Sequence, residues 1–463
     1  MTVLADGGAA RSLDVRRAYA ACGWIAAAAA LAVAALWLRS IPPSLSSDDA
    51  FFFLHALTRF SILDFSPQFP GYPGYVAMGR VALLITHDPL AALALTSGAV
   101  ALAIPPAAAW LAWRITGAAS ATLATFFITL LGPLMPDLAA SLLSDGAGIL
   151  FLLVFLALLP KPNEPARLRL FLAGLALGWA FACRPSDAPL LAGAFLAVVV
   201  IRHRWLPAIA VGAATVLVPA AATVYALEGP LYLEEGLRFL SGHATIWGNT
   251  AFTPAGDHAS WLSALASIPF AIPAAILNLA GVAIAIAARS RPPALMATAA
   301  AFVAHAAWIA AFQNPDHLRH LAPLATLGGI ILVGAVASLP VRPFRIAVLA
   351  TFLAIEIAAL VAIDPVAAIG RLSPLAAARE WLSAGRPDAV ATNEGVFALR
   401  AELPAVRIYD EHYAADANLG LATASGTAFR LTGTPLRGVA AAVFPVRFPG
   451  ERTLYLYPAL VAN

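Results

Sequence analysis

Long apolar stretches are the feature that most constrains what this chain can fold into. The 463 residues are 61% hydrophobic and only 11% charged, whereas soluble domains have about 25% charged residues. Many of the apolar runs reach the roughly 20 residues that a helix needs to cross a bilayer. The sequence therefore predicts an all-α, multi-pass integral membrane protein, which we assign to a bacterial inner (plasma) membrane.

Eleven apolar segments are predicted as transmembrane helices. They are residues 18–38, 89–113, 118–135, 142–159, 170–182, 188–201, 205–227, 261–288, 294–312, 321–339 and 346–363. Three arginines precede the first segment, and the positive-inside rule then places the N-terminus in the cytoplasm. The Lys and Arg clusters fall on that side, and most acidic residues fall on the other.

This topology divides the chain into three parts. Residues 1–17 are a cytoplasmic tail, and residues 18–363 are a membrane domain with a first outer loop at 39–88. Residues 364–463 are less hydrophobic and are predicted to form a small α/β domain on the outer (periplasmic) face. Its predicted elements are strands at 388–392, 406–409 and 453–457 and a helix at 394–403.

Composition also excludes several classes of function. No basic patch interleaved with aromatic residues is present, so nucleic acid is not an expected partner. Cys22 and Cys183 lie inside apolar segments, which makes a disulfide or a thiolate metal site improbable. The sequence has no G-x-x-x-x-G-K-[ST] loop for a soluble nucleotide.

The stretch at 44–75 carries the most chemistry close to a membrane segment. It opens with the adjacent carboxylates Asp48 and Asp49 and continues with an aromatic, helical run. Acidic side chains are costly near lipid, which makes them candidates for function. The alternative is that they cap the helix, although one Asp would be enough. Further candidates for substrate contact in this loop are His55, Tyr72 and Tyr75.

Two other polar clusters fall at predicted outer helix ends. The acidic one holds Asp137 and Asp145, and the basic one holds Arg184, His317, Arg319 and His320. A carboxylate can deprotonate an acceptor hydroxyl. Arginine and histidine can bind the phosphate leaving group of a donor, and arginine does so bidentately. Asp49 and Asp145 are also candidate ligands for a divalent cation, since such ions prefer oxygen.

Each of these residues also has a simpler interpretation. Asp145 suits a helix N-cap about equally well. An arginine such as Arg184 commonly extends its head group to the membrane surface. His317 and His320 are then loop residues without a role.

Four sequence motifs, in order, resemble those of the GT-C glycosyltransferases. They are SDDAFFFLHAL at 47–57 with PQFPGYPGYVAMGRVAL at 67–83, LLSDGAGILFLLVFLAL at 142–158, LAGLALGWAFACRPSDAPLL at 172–191 and HLRHLAPLATLGGIIL at 317–332. That superfamily includes the protein O-mannosyltransferases, the lipid A aminoarabinose transferase and the RgtA/B/C/D-like bacterial enzymes. It has an Asp-Glu pair and a His-Pro-Pro-Gly stretch, where this chain has Asp-Asp and Phe-Pro-Gly-Tyr-Pro.

The resemblance implies a GT-C fold and an inverting transfer of a hexosyl or pentosyl group from a polyprenyl-phosphate donor. The acceptor would be a glycan, a lipid or a protein on the outer face. By this resemblance Asp48 is the general base and Asp49 its neighbour. Asp145 supports the site or a metal, and Arg184 and Arg319 contact the donor phosphate. No cofactor is certain, and a divalent metal is left open.

Two other classes of membrane protein remain as alternatives. A secondary transporter would show internal repeats and interrupted helices near mid-membrane, and we find no convincing repeat. A surface-polysaccharide ligase or polymerase would rely on a large, late outer loop. Here the later loop, at 228–260, is moderate, and the acidic pair comes early.

Overall fold

The computed structural model describes residues 6–161, 164, 166–248, 250–253, 260–288 and 292–459. Residues 1–5 of the predicted cytoplasmic tail lie outside the described residues. So do Asp257, predicted on the outer side, and Arg289 and Arg291, predicted on the cytoplasmic side. Within the described ranges the chain is a helical membrane domain followed by a small α/β domain.

Most described helices of the membrane domain lie in the predicted apolar segments, and four, at 48–58, 73–86, 135–140 and 231–242, lie between those segments. They are α1 (Asp6–Arg39), α2 (Asp48–Thr58), α3 (Pro73–Thr86), α4 (Pro89–Thr116), α5 (Ala119–Leu130), α6 (Met135–Ala140), α7 (Asp145–Leu158), α8 (Arg167–Cys183), α9 (Ala188–Arg202), α10 (Leu206–Glu228), α11 (Leu231–Gly242), α12 (Trp261–Ser267), α13 (Ala271–Ala287), α14 (Pro293–Phe312), α15 (Ala322–Ala337) and α16 (Arg342–Ile363).

The length and apolar composition of several of these helices confirm that the chain is an integral membrane protein. By length and apolarity, six stretches of the described chain can cross a bilayer, or seven if the bent pair α12 and α13 counts as one span. The predicted segments at 118–135 and 142–159 are shorter as helices, at 12 and 14 residues. The prediction of about eleven full spans is therefore supported only loosely.

The predicted segment at 261–288 is not one straight helix. Helices α12 and α13 are bent by 118° at the break between them. Pro269 lies in that break, and a proline cannot donate the backbone hydrogen bond that would continue α12. Phe270 adopts a left-handed backbone conformation there, with a φ of 58°.

The first outer loop, predicted at 39–88, contains two helices. Helix α2 begins at the acidic pair, and Ser47 caps it by accepting from the backbone N–H of Ala50. Helix α3 begins at Pro73, and proline is favoured in a first helical turn. Gly74 lets α3 pack on the end of α8, because an added Cβ would lie 2.8 Å from the Ala182 carbonyl carbon. Both helices therefore place the loop against the membrane domain.

The C-terminal region forms the predicted α/β domain. Its helices are α17 (Pro374–Gly385), α18 (Val396–Glu402) and α19 (Ala414–Ala422), and its strands are β1 (Ala389–Thr392), β2 (Arg407–Asp410), β3 (Ala428–Thr432), β4 (Ala442–Phe444) and β5 (Leu454–Pro458). The sheet order is β2-β1-β3-β5-β4. Strand β1 is parallel to β2 and β3, and β5 is antiparallel to β3 and β4. The three predicted strands are confirmed, and β3 and β4 were not predicted.

The α/β domain packs directly on the first outer loop. The two share one buried apolar cluster that runs from the aromatic face of α2 into the sheet. Phe397 meets Phe52 edge-on at 5.1 Å between ring centroids. The hydroxyl of Ser44 accepts from the Ser373 backbone N–H at 3.0 Å and from Arg447 at 3.2 Å. The loop and the domain are therefore on the same side of the membrane.

This packing makes the topology testable. We expect a reporter fused at Arg204 to report the cytoplasm and a reporter fused after the last residue to report the outer side. The reason is that the loop after α1 and the C-terminal domain share a face, while Arg204 belongs to a basic cluster of the kind that stays inside. A paired alkaline phosphatase and green fluorescent protein assay measures this. A cytoplasmic C-terminus would contradict the topology.

Candidate active site

The two adjacent carboxylates of α2 point to different partners. Asp48 Oδ1 accepts from the backbone N–H groups of Phe397 and Ala398, each at 3.0 Å. These groups are at the N-terminus of α18, so Asp48 links α2 to the α/β domain. Burial, and in smaller part the neighbouring Asp49 charge, raise the pKa of Asp48 from 3.8 to about 7. A carboxyl group with this pKa is half protonated near neutral pH.

Asp49 faces the membrane domain. Its Oδ2 forms an ion pair with Arg319 at 2.7 Å, and its Oδ1 accepts from the Gln68 side-chain amide at 3.0 Å. The Asp49 side chain is 32% exposed and that of Arg319 is 14% exposed. The pair therefore lies at the edge of the interior, where a ligand can reach the carboxylate.

A second arginine–carboxylate pair is buried at the start of α7. Arg184 contacts Asp145 at 2.8 Å and donates to the hydroxyl of Ser144 at 3.0 Å. Asp187 lies 3.6 Å from the Arg184 Nε. Gly148 makes room for this group, since an added Cβ would lie 2.7 Å from Asp187 Oδ2. This arrangement needs a glycine one turn into α7.

These contacts rule out two of the simpler interpretations. Arg184 is only 6% exposed, so its head group is not at the membrane surface. Asp145 is the first residue of α7 and not its cap, because the N-cap position is Ser144. The expectation that Asp48 or Asp49 caps α2 also differs from the observed contacts. Ser47 caps α2, and Asp48 caps α18.

The two arginine–carboxylate pairs belong to one electrostatic cluster. Burial alone would lower the pKa of Arg184, but the charges of Asp145, Asp187 and Asp49 raise it above its ordinary value. The guanidinium of Arg319 interacts electrostatically with the charges of Asp49, Asp145 and Arg184. We call Asp49, Arg319, Arg184 and Asp145 the arginine–carboxylate cluster. It combines residues from α2, α7, the α8–α9 turn and the turn before α15.

The other predicted residues of the outer loop are placed differently. Tyr75 is fully buried, and its hydroxyl pairs with Ser97 at 2.7 Å. No part of Tyr75 is accessible to a substrate in this structure, and its role in substrate contact stays a prediction. His55 is on the exposed side of α2 and packs against Phe51, with 4.3 Å between ring centroids and a tilt of 47° between the rings. Tyr72 lies against Phe53 beside the cluster, and it is 7% exposed.

The remaining predicted residues surround the cluster without joining it. Asp137 is 4% exposed and contacts the α/β domain at Gly450, where an added Cβ would lie 2.1 Å from its carboxyl carbon. Burial, and then the charge of Glu451, raise the pKa of Asp137 to about 7. His317 and His320 flank Arg319 in the sequence, and their rings form an edge-to-face pair with 6.1 Å between centroids.

A metal site is not evident in the part of the chain that the structure describes. No three His, Cys, Asp or Glu side chains come together there in a way that could hold an ion. The two candidate ligands each have an arginine partner, since Asp49 pairs with Arg319 and Asp145 pairs with Arg184. A cation at either carboxylate would have to compete with that arginine.

Sequence reasoning did not assign a role to Gln68 or Asp187. Gln68 is 5% exposed and binds Asp49, and Asp187 is 5% exposed beside Arg184. A signal was present in each case. Both are polar residues within motifs that are otherwise apolar or turn-forming, PQFPGYPG and CRPSD. Their partners are close in the chain, since Gln68 binds Asp49, 19 positions away, and Asp187 lies beside Arg184, an i,i+3 neighbour.

Comparison with solved structures identifies the fold. The helical membrane domain with an appended α/β domain is the fold of solved structures that match this chain over nearly its whole length, which confirms the expected fold class. The structures that share it include ArnT from Cupriavidus metallidurans. The undecaprenyl phosphate-bound form matches with a TM-score of 0.56 and 13% identity over 95% of this chain and 99% of that one. The apo form matches with a TM-score of 0.55 and 14% identity, over 96% of this chain and 99% of the ArnT chain. No protein-family model and no curated protein match the chain.

Proposed function

We propose that this protein is a membrane glycosyltransferase that takes a sugar from a polyprenyl-phosphate donor and transfers it to an acceptor on the outer face. The observation that supports the proposal is the arginine–carboxylate cluster, which lies at helix ends that are predicted to face outward, in an ArnT-like fold. An ArnT structure with this fold was solved bound to undecaprenyl phosphate. That lipid is the donor carrier we infer for this chain.

The two arginines suit the phosphate of such a donor. Arg319 uses one terminal nitrogen for Asp49, and its Nε has no partner among the described residues. A guanidinium with a free N–H edge can bind a phosphate oxygen, and such charge-assisted bonds are strong. Arg184 is fixed by Asp145 and Ser144, so it supplies positive charge from a rigid position. Together they would stabilise the phosphate as it leaves the sugar.

Asp48 is the residue we propose as the general base. One of its oxygens is held by two backbone N–H groups, which fixes the carboxyl and leaves the other oxygen for an acceptor hydroxyl. A pKa of about 7 suits a base that works near neutral pH. Asp49 binds Arg319 and would therefore orient the phosphate-binding arginine. Inversion would require the base and the leaving phosphate to lie on opposite sides of the sugar.

The proposal is tested first with the donor carrier alone. Arg319→Ala should weaken binding of undecaprenyl phosphate about ten- to a hundredfold, because a charge-assisted contact is worth roughly 1.5–3 kcal/mol. Binding is measured by microscale thermophoresis on the full-length protein in nanodiscs. Arg59→Ala is the matched control, since that side chain is 77% exposed and pairs with Asp64 at the surface. Equal affinities in all three proteins would contradict a phosphate site at Arg319.

Transfer itself separates this function from its two rivals. Membranes that contain the protein should move a radiolabelled sugar from undecaprenyl phosphate to an acceptor. Movement of the label across the bilayer without a new glycosidic bond would indicate a transporter. Joining of preformed glycan chains without use of a single-sugar donor would indicate a ligase or polymerase.

A further inference from the structure

The side chain of Gln68 has one end bound and one end without a partner. Its Nε2 donates to Asp49 Oδ1 at 3.0 Å. A carboxylate only accepts hydrogen bonds, so the nitrogen end of the amide must face Asp49. The oxygen end, Oε1, is buried, and within the described residues it has no hydrogen-bond partner. Buried acceptors are normally satisfied, so this oxygen requires a donor from elsewhere.

A second atom without a partner lies on the other side of the same carboxylate. Arg319 binds Asp49 Oδ2 through a terminal nitrogen, while its Nε, a donor, has no partner in the described chain. The side chain that binds Asp49 Oδ1 therefore carries an unpaired acceptor, Gln68 Oε1. The side chain that binds Asp49 Oδ2 carries an unpaired donor, Arg319 Nε. A hydroxyl group can both donate and accept. A molecule with several hydroxyls can satisfy both sides.

Access to this place is through Asp49. Its side chain is 32% exposed, whereas Gln68 is only 5% exposed. A group that arrives at the Asp49 carboxylate is therefore adjacent to the amide that the carboxylate holds. The amide is also fixed in orientation, because only its nitrogen can bind Asp49.

We propose that Gln68 is a specificity-determining residue whose Oε1 accepts a hydrogen bond from a substrate hydroxyl at the Asp49 site. This inference rests on the proposed glycosyltransferase function. The hydroxyl belongs either to the donor sugar or to the acceptor. A buried amide oxygen discriminates against a substrate without that hydroxyl, because the oxygen is then left unpaired.

The test is a transfer assay with purified full-length protein and synthetic undecaprenyl-phosphate sugars. The parent donors are glucose, mannose, galactose and arabinose, and the analogues are the monodeoxy forms of whichever sugar is transferred. Gln68→Met should lower kcat/KM for the parent sugar about three- to tenfold, the range for one neutral hydrogen bond. It should leave one monodeoxy analogue unaffected, so that the wild-type preference for the hydroxyl disappears. Gln313→Met, the same change at the residue that follows the last residue of α14, should alter nothing.

The kinetic pattern identifies the source of the hydroxyl. A donor hydroxyl predicts lost discrimination against one deoxy donor. An acceptor hydroxyl predicts a raised KM for the acceptor and an equal loss with all donors. Both results support the proposal. A uniform fall in kcat with both KM values unchanged would overturn it, because Gln68 would then only position Asp49.

A second variant covers the case in which Gln68→Met does not fold. A glutamic acid beside Asp49 should have a raised pKa, since adjacent carboxylates repel. When protonated, it presents an O–H to Asp49 and a carbonyl to the hydroxyl, as Gln68 does. Gln68→Glu should therefore approach wild-type activity, and wild-type discrimination between parent and deoxy sugars, as the pH falls. Activity far below that of wild type at every pH would count against the inference. An inactive wild type with no affinity for undecaprenyl phosphate would overturn the glycosyltransferase function itself.

Discussion

Arg184→Met is expected to lose transfer activity and to lower the free energy of unfolding by roughly 3–5 kcal/mol. The reason is that Arg184 and Asp145 are 7% and 6% exposed and lie 2.8 Å apart. Removal of the arginine leaves Asp145 and Asp187 buried without a cation. Desolvated, unpaired charge is among the largest sources of instability from a single substitution. Thermal unfolding in detergent and donor binding together measure the effect.

The double variant Arg184→Met with Asp145→Asn separates charge pairing from simple loss of packing. Replacement of both partners of a buried ion pair is often close to neutral, so the double variant should regain much of the lost stability. It should still bind the donor poorly, because no cation replaces Arg184. Arg59→Met, at an exposed salt bridge, should change stability by less than about 1 kcal/mol. A double variant as unstable as the single one would contradict the pairing argument.

Asp48→Asn is expected to fold and bind donor but to lose roughly 10²- to 10⁴-fold in transfer rate, the contribution of general base catalysis. The structure makes this substitution unusually informative. Asp48 holds α18 through one oxygen that accepts two N–H groups, and the asparagine oxygen can accept the same bonds. The link to the α/β domain is kept while the base is removed. Near-normal transfer by a well-folded Asp48→Asn protein would show that the residue is only that link.

Asp49→Asn should act in a different way. It removes the charge that holds Arg319, so the affinity for undecaprenyl phosphate should change along with the rate. In Asp48→Asn the rate should fall while that affinity stays the same. If Asp49→Asn alone abolished transfer and Asp48→Asn did not, the base role would pass to Asp49. Both variants are compared at equal amounts of folded protein.

The pH dependence of stability provides a check on Asp48 that does not need a substrate. The folded-state pKa of about 7 lies above the ordinary value of 3.8, so between these values the folded protein binds more protons than the unfolded chain. The contribution of Asp48 to stability must therefore fall as the pH rises through that window. Asp48→Asn lacks this contribution. Its unfolding temperature relative to wild type should be higher at pH 8 than at pH 5, and a constant difference would contradict the raised pKa.

Much of the fold was readable from the sequence. The apolar segments had to become helices because a backbone in lipid must satisfy its own hydrogen bonds. The strands at β1, β2 and β5 followed from short β-prone runs. Helix α3 was not predicted, because it lies in the stretch assigned to the first outer loop and begins within a Pro-Gly-Tyr sequence, which is typical of turns. Strands β3 and β4 were missed as well, since their pairing is long-range and their local pattern is weak.

For the candidate site, the sequence determines one part of the arrangement and the tertiary structure decides the other. The sequence determined which residue types lie near outer helix ends, because charged groups cannot remain in hydrocarbon without a partner. It could not decide which charge meets which. Asp49 and Arg319 are 270 positions apart, and Asp48 finds its N–H partners 349 and 350 positions away. Because the α/β domain packs on α2, the two adjacent carboxylates have different partners, and only the three-dimensional arrangement of distant segments decides which partner each one has.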